Sequence, residues 1–188
     1  MALWPHRRPK NSGVPKGWGI RSMDFILDYM SEQTFWTILF TIHALLAVAL
    51  LGALTHQAAH VLRQPKPAGA GFLNRFSAVS GHAYASAVCL LWVLTFIFGA
   101  WIYVKYRIYV RIPIEQEGFY KTLGAFEMKE HLGAIGLGLL PLYWIAWKRH
   151  GEANLSAMRK GSTLLLAFFC WVTFLVGHIV NNVRGFGS

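Results

Sequence analysis

Acidic residues are scarce in this chain: 8 Asp and Glu stand against 18 Lys and Arg. No charged residue of either sign falls within four long stretches, 34–62, 76–104, 131–147 and 161–183. Ion and proton pathways through a membrane normally carry carboxylates or basic residues inside the spans, so their absence argues against that class. Cysteine is nearly absent. Cys89 and Cys170 both lie inside apolar runs and read as packed small hydrophobes rather than a disulfide or a metal pair. There is no His-Glu-x-x-His, no Gly-rich phosphate loop and no activated serine or cysteine motif, so nothing suggests turnover of a soluble substrate by this chain alone. The first residues, MALWPHRRPKNSGVPKGWGIRS, lack the short apolar core and small-residue cleavage site of a secretory signal. Internal repeats and low-complexity tracts are missing too.

What is present is apolar surface, 55% of the residues. A helix crosses the roughly 30 Å hydrocarbon layer with about 20 predominantly apolar residues. Three of the uncharged stretches exceed that length, and 131–147 sits at its lower limit. The expectation is an all-α, integral membrane four-helix bundle. A buried soluble core is the competing account of any one run, but four runs separated by charged loops disfavour it. The net charge of +10 resides in the tail and the loops beside the span ends. Cations so placed meet anionic lipid and give no reason to invoke nucleic acid.

The organisation follows from these runs. Residues 1–33 form a tail rich in Pro, Gly and cations, followed by a segment with Ile20, Met23, Ile26, Leu27 and Met30 at helical spacing. That spacing suits either a short amphipathic helix on the membrane surface or an extension of the first span. Residues 34–188 form the four-helix transmembrane domain. The connection from Arg63 to Arg75 has two prolines and two glycines and reads as a loop. In the longest connection, Lys105 to Lys129, YRIYVRIPI alternates apolar and polar residues and suggests a short extended piece. In the last link Asn154 or Ser156 is placed to cap a small helical turn. Four spans put both termini and the 105–129 loop on one side with eleven Lys and Arg, against seven in two short loops on the other. The positive-inside rule weights short loops, so orientation stays open.

Histidine is the informative residue type. His43, His56, His60, His82, His131 and His178 lie in or at the edges of spans, with His150 after the third run and His6 in the tail. Histidine without carboxylate is what a buried porphyrin requires, because neutral imidazole is a good axial ligand to haem iron. At about 1.5 Å of rise per residue, His43 lies roughly 13 Å and His178 roughly 8 Å from the side of the termini. His56 and His82 lie roughly 9 Å from the opposite side. His131 opens its span near the interface, and His60 is shallower than His56. The residues therefore fall in two layers, and the 13 positions from His43 to His56 correspond to about 20 Å along one helix.

Two imidazoles that ligate one iron come from opposite faces of the ring and thus from different helices. His56 and His60 share a helix face, so they are not the opposed ligands of one haem. His56 with His82, and two of His43, His131 and His178, are the expected pairs, with His43 and His178 the better match in depth. His60 and His150 read as hydrogen-bonding residues at span ends, with His60 also a candidate metal ligand. Gly52, Gly81, Gly133, Gly136, Gly138 and Gly177 permit close approach of a macrocycle or of another helix. Glu130, next to His131, is placed either as a carboxylate partner for a histidine NH or as a favourable charge at a helix start. The tryptophans and Tyr103, Tyr106 and Tyr109 read as interfacial or packing aromatics.

On His43 and His56, His82, His131 and His178, one or two per span, the chain resembles the four-helix, two-haem b-type cytochromes that serve as membrane subunits of bacterial oxidoreductases. The resemblance covers about residues 34–183 and lies in spacing rather than in a signature string. It implies a bacterial inner-membrane protein carrying haem b, with two haems expected. It also implies electron transfer between a partner redox protein and the quinone pool, and other subunits of a redox complex as partners alongside lipid. Two further classes fit the same residues. One is a non-redox or pigment-binding accessory subunit of a respiratory or photosynthetic complex. The other is a membrane metal enzyme using His56, His60 and His82.

Overall fold

A computed structural model describes residues 30–63, 71–78, 80–149 and 151–183. The chain divides into two units, Met1–Phe35 and Trp36–Ser188. The expected surface helix falls almost wholly outside the described residues, as do His6, His150 and residues 64–70 of the first loop. In the described end of the first unit Ser31 opens a helix: the Thr34 amide donates to Ser31 Oγ at 3.1 Å, which satisfies one of the unpaired donors of a first turn.

All elements are helical, and no strand occurs among the described residues. In chain order they are α1 (Glu32–Leu62), α2 (Phe72–Ser77), α3 (Gly81–Tyr106), a π-helical turn (Arg107–Arg111), α4 (Ile112–Gln116), α5 (Tyr120–Lys148), a 3-10 turn (Ala153–Leu155) and α6 (Ser156–Val183). Three helical segments are long and apolar enough to cross a membrane: Glu32–Leu62, Gly81–Gln116 and Ala153–Asn182. The fourth expected span, α5, is 29 residues long but falls outside that group. Lys121, Glu127, Lys129 and Glu130 fall in its first eleven residues, which leaves 131–147 as its uncharged part.

The core has two parts. Leu54, Val88, Trp92, Leu140, Tyr143, Trp147 and Leu166 belong to the larger cluster, and Tyr106, Val110, Ile114, Phe126 and Val180 form the smaller one. α5 packs most closely on α6 and next on α3, whereas α1 makes few close backbone approaches. α1 is held instead by long side chains, above all Gln57. Its Nε2 donates to the Gly81 carbonyl at 3.2 Å, and its Oε1 accepts the Tyr143 hydroxyl. Gln57 and Tyr143 are both fully buried.

The connection after α3 corrects a sequence expectation. YRIYVRIPI is helical throughout, not extended. Its period-2 alternation also contains Tyr106, Val110 and Ile114, spaced four apart. These three are the buried residues, while Ile108, Tyr109 and Ile112 are exposed. Packing against Phe126 and Val180 selects the helical period over the alternating one. Pro113, at the start of α4, lacks an amide and crowds the carbonyl four residues earlier; the wider π turn just before it accommodates this. The real break is short and falls at Gly118, whose φ of 77° suits glycine.

Elsewhere the expected loops contain more helix. α2 occupies the end of the first connection. In the last link the expected small helical turn forms, but Glu152 precedes it rather than Asn154 or Ser156, and Arg149 Nε pairs with Glu152 Oε1 at 2.6 Å. Two glycines serve helix packing. A Cβ at Gly81 would fall within the Trp147 indole, and one at Gly136 within the Trp92 indole. Gly52 and Gly138 face open space within 4 Å.

Candidate cofactor cavity

The first half of α1, the second half of α3, the first half of α5 and the second half of α6 surround a cavity of about 370 Å³. That volume is within the range of small-molecule and cofactor sites. His43 from α1 and His178 from α6 both line it. Trp92, Phe96, Tyr103 and Phe126 give it aromatic walls, and Gly99, Gly133 and Gly177 bring backbone to its edge. His43 lies directly on α3: a Cβ at Gly99 would stand 3.0 Å from His43 Cε1. Glycine at position 99 thus leaves room for an imidazole between α1 and α3.

The polar atoms of this cavity are distinctive. Among the described residues, three buried side-chain polar atoms have no hydrogen-bond partner: His43 Nδ1, Thr95 Oγ1 and Tyr106 Oη. All three residues line the same cavity. Buried polar groups are almost always bonded, and an unpaired group asks for an explanation such as a ligand or a functional role. One ion pair also reaches the wall. Lys129 Nζ lies 3.0 Å from Glu130 Oε1 and 4.6 Å from the centre of the Phe126 ring, with its stem against Gly177. Glu130 is therefore engaged by Lys129, while His131 Nδ1 donates to the Glu127 carbonyl at 2.7 Å.

At the opposite end of the helices the histidines are used differently. His56 Nδ1 donates to the Phe76 carbonyl at 2.8 Å and His60 Nδ1 to the Ser77 carbonyl at 2.9 Å. The two rings of α1 thereby grip successive carbonyls at the end of α2. The His56 ring stacks on Phe76 at 3.8 Å, and His60 lies 6.0 Å from Trp147. His82 is exposed on the first turn of α3, and His131 is exposed on α5.

Of the expected ligands, then, His43 and the exposed His178 both line one cavity, His56 and His60 lie together against α2, and His131 stands outside the cavity wall. No three His, Cys, Asp or Glu side chains converge among the described residues, so His56, His60 and His82 do not assemble a metal trio. Cys89 and Cys170 are free thiols. Thr95, Gly99, Tyr106 and Lys129 were not singled out by sequence as site residues. Thr95 is one hydroxyl in a long apolar run, Tyr106 reads as a boundary aromatic, and Lys129 reads as a loop charge.

No protein family, curated protein or solved structure matches this chain.

Proposed function

We propose that this chain is an integral membrane electron-transfer subunit that would hold haem b in the cavity between α1, α3, α5 and α6, with His43 and His178 as the residues that would hold its iron. The observation that carries this reading is that two histidines from different helices line one aromatic-walled cavity. The unpaired polar atoms there belong to His43, Thr95 and Tyr106. Bound haem supplies one-electron chemistry through its iron. The chain's part is to present two imidazoles, exclude water with Trp92, Phe96 and Phe126, and set the polarity of the site. A pigment that takes a single histidine leaves one of the two without a role, which favours haem.

Membrane insertion is part of the same proposal. Large apolar side chains face outward along the helices, with Leu45 65% and Leu90 60% exposed. Outward-facing rows of this kind suit lipid rather than water. Cations stack on aromatics at both ends, Lys105 near Trp36 at 5.3 Å and Lys148 near Trp144 at 5.0 Å, as at membrane interfaces. α5 completes four spans through 131–147, and its Lys129–Glu130 pair is neutral as a unit. A second haem, on His56 and His82, extends the proposal through the resemblance to two-haem cytochromes. The bacterial inner membrane as its place, and a partner redox subunit and the quinone pool as electron donor and acceptor, extend the proposal through the cytochrome resemblance.

A reduced-minus-oxidised spectrum with an iron count tests it. The purified protein is expected to show a b-type band and bound iron, and His43→Ala and His178→Ala each to lose them. A wild-type protein without band or iron, or retention of both in the two variants, refutes the assignment.

A further inference from the structure

The two unpaired hydroxyls of the cavity stand far apart along α3. Thr95 and Tyr106 are separated by eleven residues, about 16 Å of helix, so Thr95 marks the deep end and Tyr106 the end nearest the π turn. Lys129 and Glu130 are the charged residues of the lining. Tyr106 is 4% exposed, stacks on Phe126 at 3.8 Å, and has a hydroxyl without a partner. Lys129 reaches the same Phe126 ring. Its ammonium has three donors, and Glu130 takes one of them. The other cation of this corner, Arg111, is engaged with Glu127 at 3.1 Å. A phenol donor and a lysine ammonium at one end of an otherwise aromatic cavity form a recognition element for carboxylate.

We infer that Tyr106 and Lys129 bind the carboxylate-bearing edge of the cavity's ligand, so that a tetrapyrrole enters with its acid groups toward the π turn and its apolar edge toward Thr95. This rests on the haem reading and adds an orientation and a chemical selectivity to it. The Lys129–Glu130 pair makes a further distinction: Glu130 competes with a ligand carboxylate for the same ammonium, so neutralising Glu130 strengthens selectivity whereas removing the charge of Lys129 weakens it.

The test uses the full chain in lipid nanodiscs, freed of bound haem and titrated with iron protoporphyrin IX or with its dimethyl ester, followed by absorption. Wild type is expected to bind the free acid at least tenfold more tightly than the ester. Lys129→Met and Tyr106→Phe should each reduce that ratio severalfold through the free acid, leaving ester affinity unchanged as evidence of an intact fold. Glu130→Gln should raise the ratio, and Lys105→Met, outside the cavity, should leave it alone. Equal affinity for acid and ester in a wild-type protein that still forms the b-type spectrum overturns the inference and spares the haem reading. An undiminished ratio in both Lys129→Met and Tyr106→Phe does the same. Failure of both compounds to give a b-type band overturns the inference together with the reading it rests on.

Discussion

Gly136 and Gly138 lie two residues apart on α5 and should respond to alanine with opposite signs. At Gly136 the added methyl falls within the indole of Trp92, a residue only 4% exposed whose Nε1 donates to the Gly133 carbonyl at 3.2 Å. Overpacking a well-filled site costs about 1–3 kcal/mol. Displacing the indole also forfeits a hydrogen bond of about 1 kcal/mol. Against this stands the gain of about 1 kcal/mol from replacing a helical glycine by alanine. Gly136→Ala should therefore lose about 1–3 kcal/mol. At Gly138 nothing lies within 4 Å of the new Cβ, so only the helix-propensity gain remains, about 0.5–1 kcal/mol of stabilisation. Unfolding in mixed micelles by SDS, followed by circular dichroism, measures both. Tryptophan emission should shift for Gly136→Ala alone. A Gly138→Ala variant as destabilised as Gly136→Ala, or a neutral Gly136→Ala, would refute the placement of Trp92 against α5.

Three further outcomes are expected. Tyr143→Phe leaves Gln57 Oε1 buried without its donor and should cost about 1–2 kcal/mol; combined with Gln57→Leu the loss should be less than additive, and strict additivity in a double-mutant cycle would contradict the pairing. Gly118→Ala forces a side chain into the left-handed region and should cost about 1–2 kcal/mol, with Gly118→Asn milder, measured by the same SDS titration. His60→Ala removes one of the two grips on α2, so trypsin should cut after Arg75 severalfold faster while the absorption bands of a haem at His43 and His178 stay in place; unchanged cleavage would show that the grip is unimportant.

Much of the fold was legible because membrane-type helices announce themselves by long uncharged runs. α1 carries its expected run and starts two residues before it, α3 begins only at Gly81 because Phe76 and Ser77 of its run close α2, and α6 begins five residues before its run, at Ser156. YRIYVRIPI was misread because one stretch satisfies two periods at once, and local pattern contains no term for Phe126 and Val180, the partners that select the helical one. The glycines were ambiguous for a similar reason. Sequence shows where backbone can be approached, not that indoles do the approaching at Gly81 and Gly136.

The histidines divide along the same line. Depth along a helix is one-dimensional, set by a constant rise per residue, so the sequence by itself placed His43 and His178 toward the same side and separated them from His56 and His60. Azimuth and neighbours are three-dimensional. Only the packing of four helices decided that His43 and His178 share a cavity with Thr95, Tyr106 and Lys129, residues of α3 and α5 whose separation in the chain hides their proximity. The same packing turned His56 and His60 toward the carbonyls of α2, because a short helix end must satisfy its acceptors and two imidazoles on one face of α1 stand within reach.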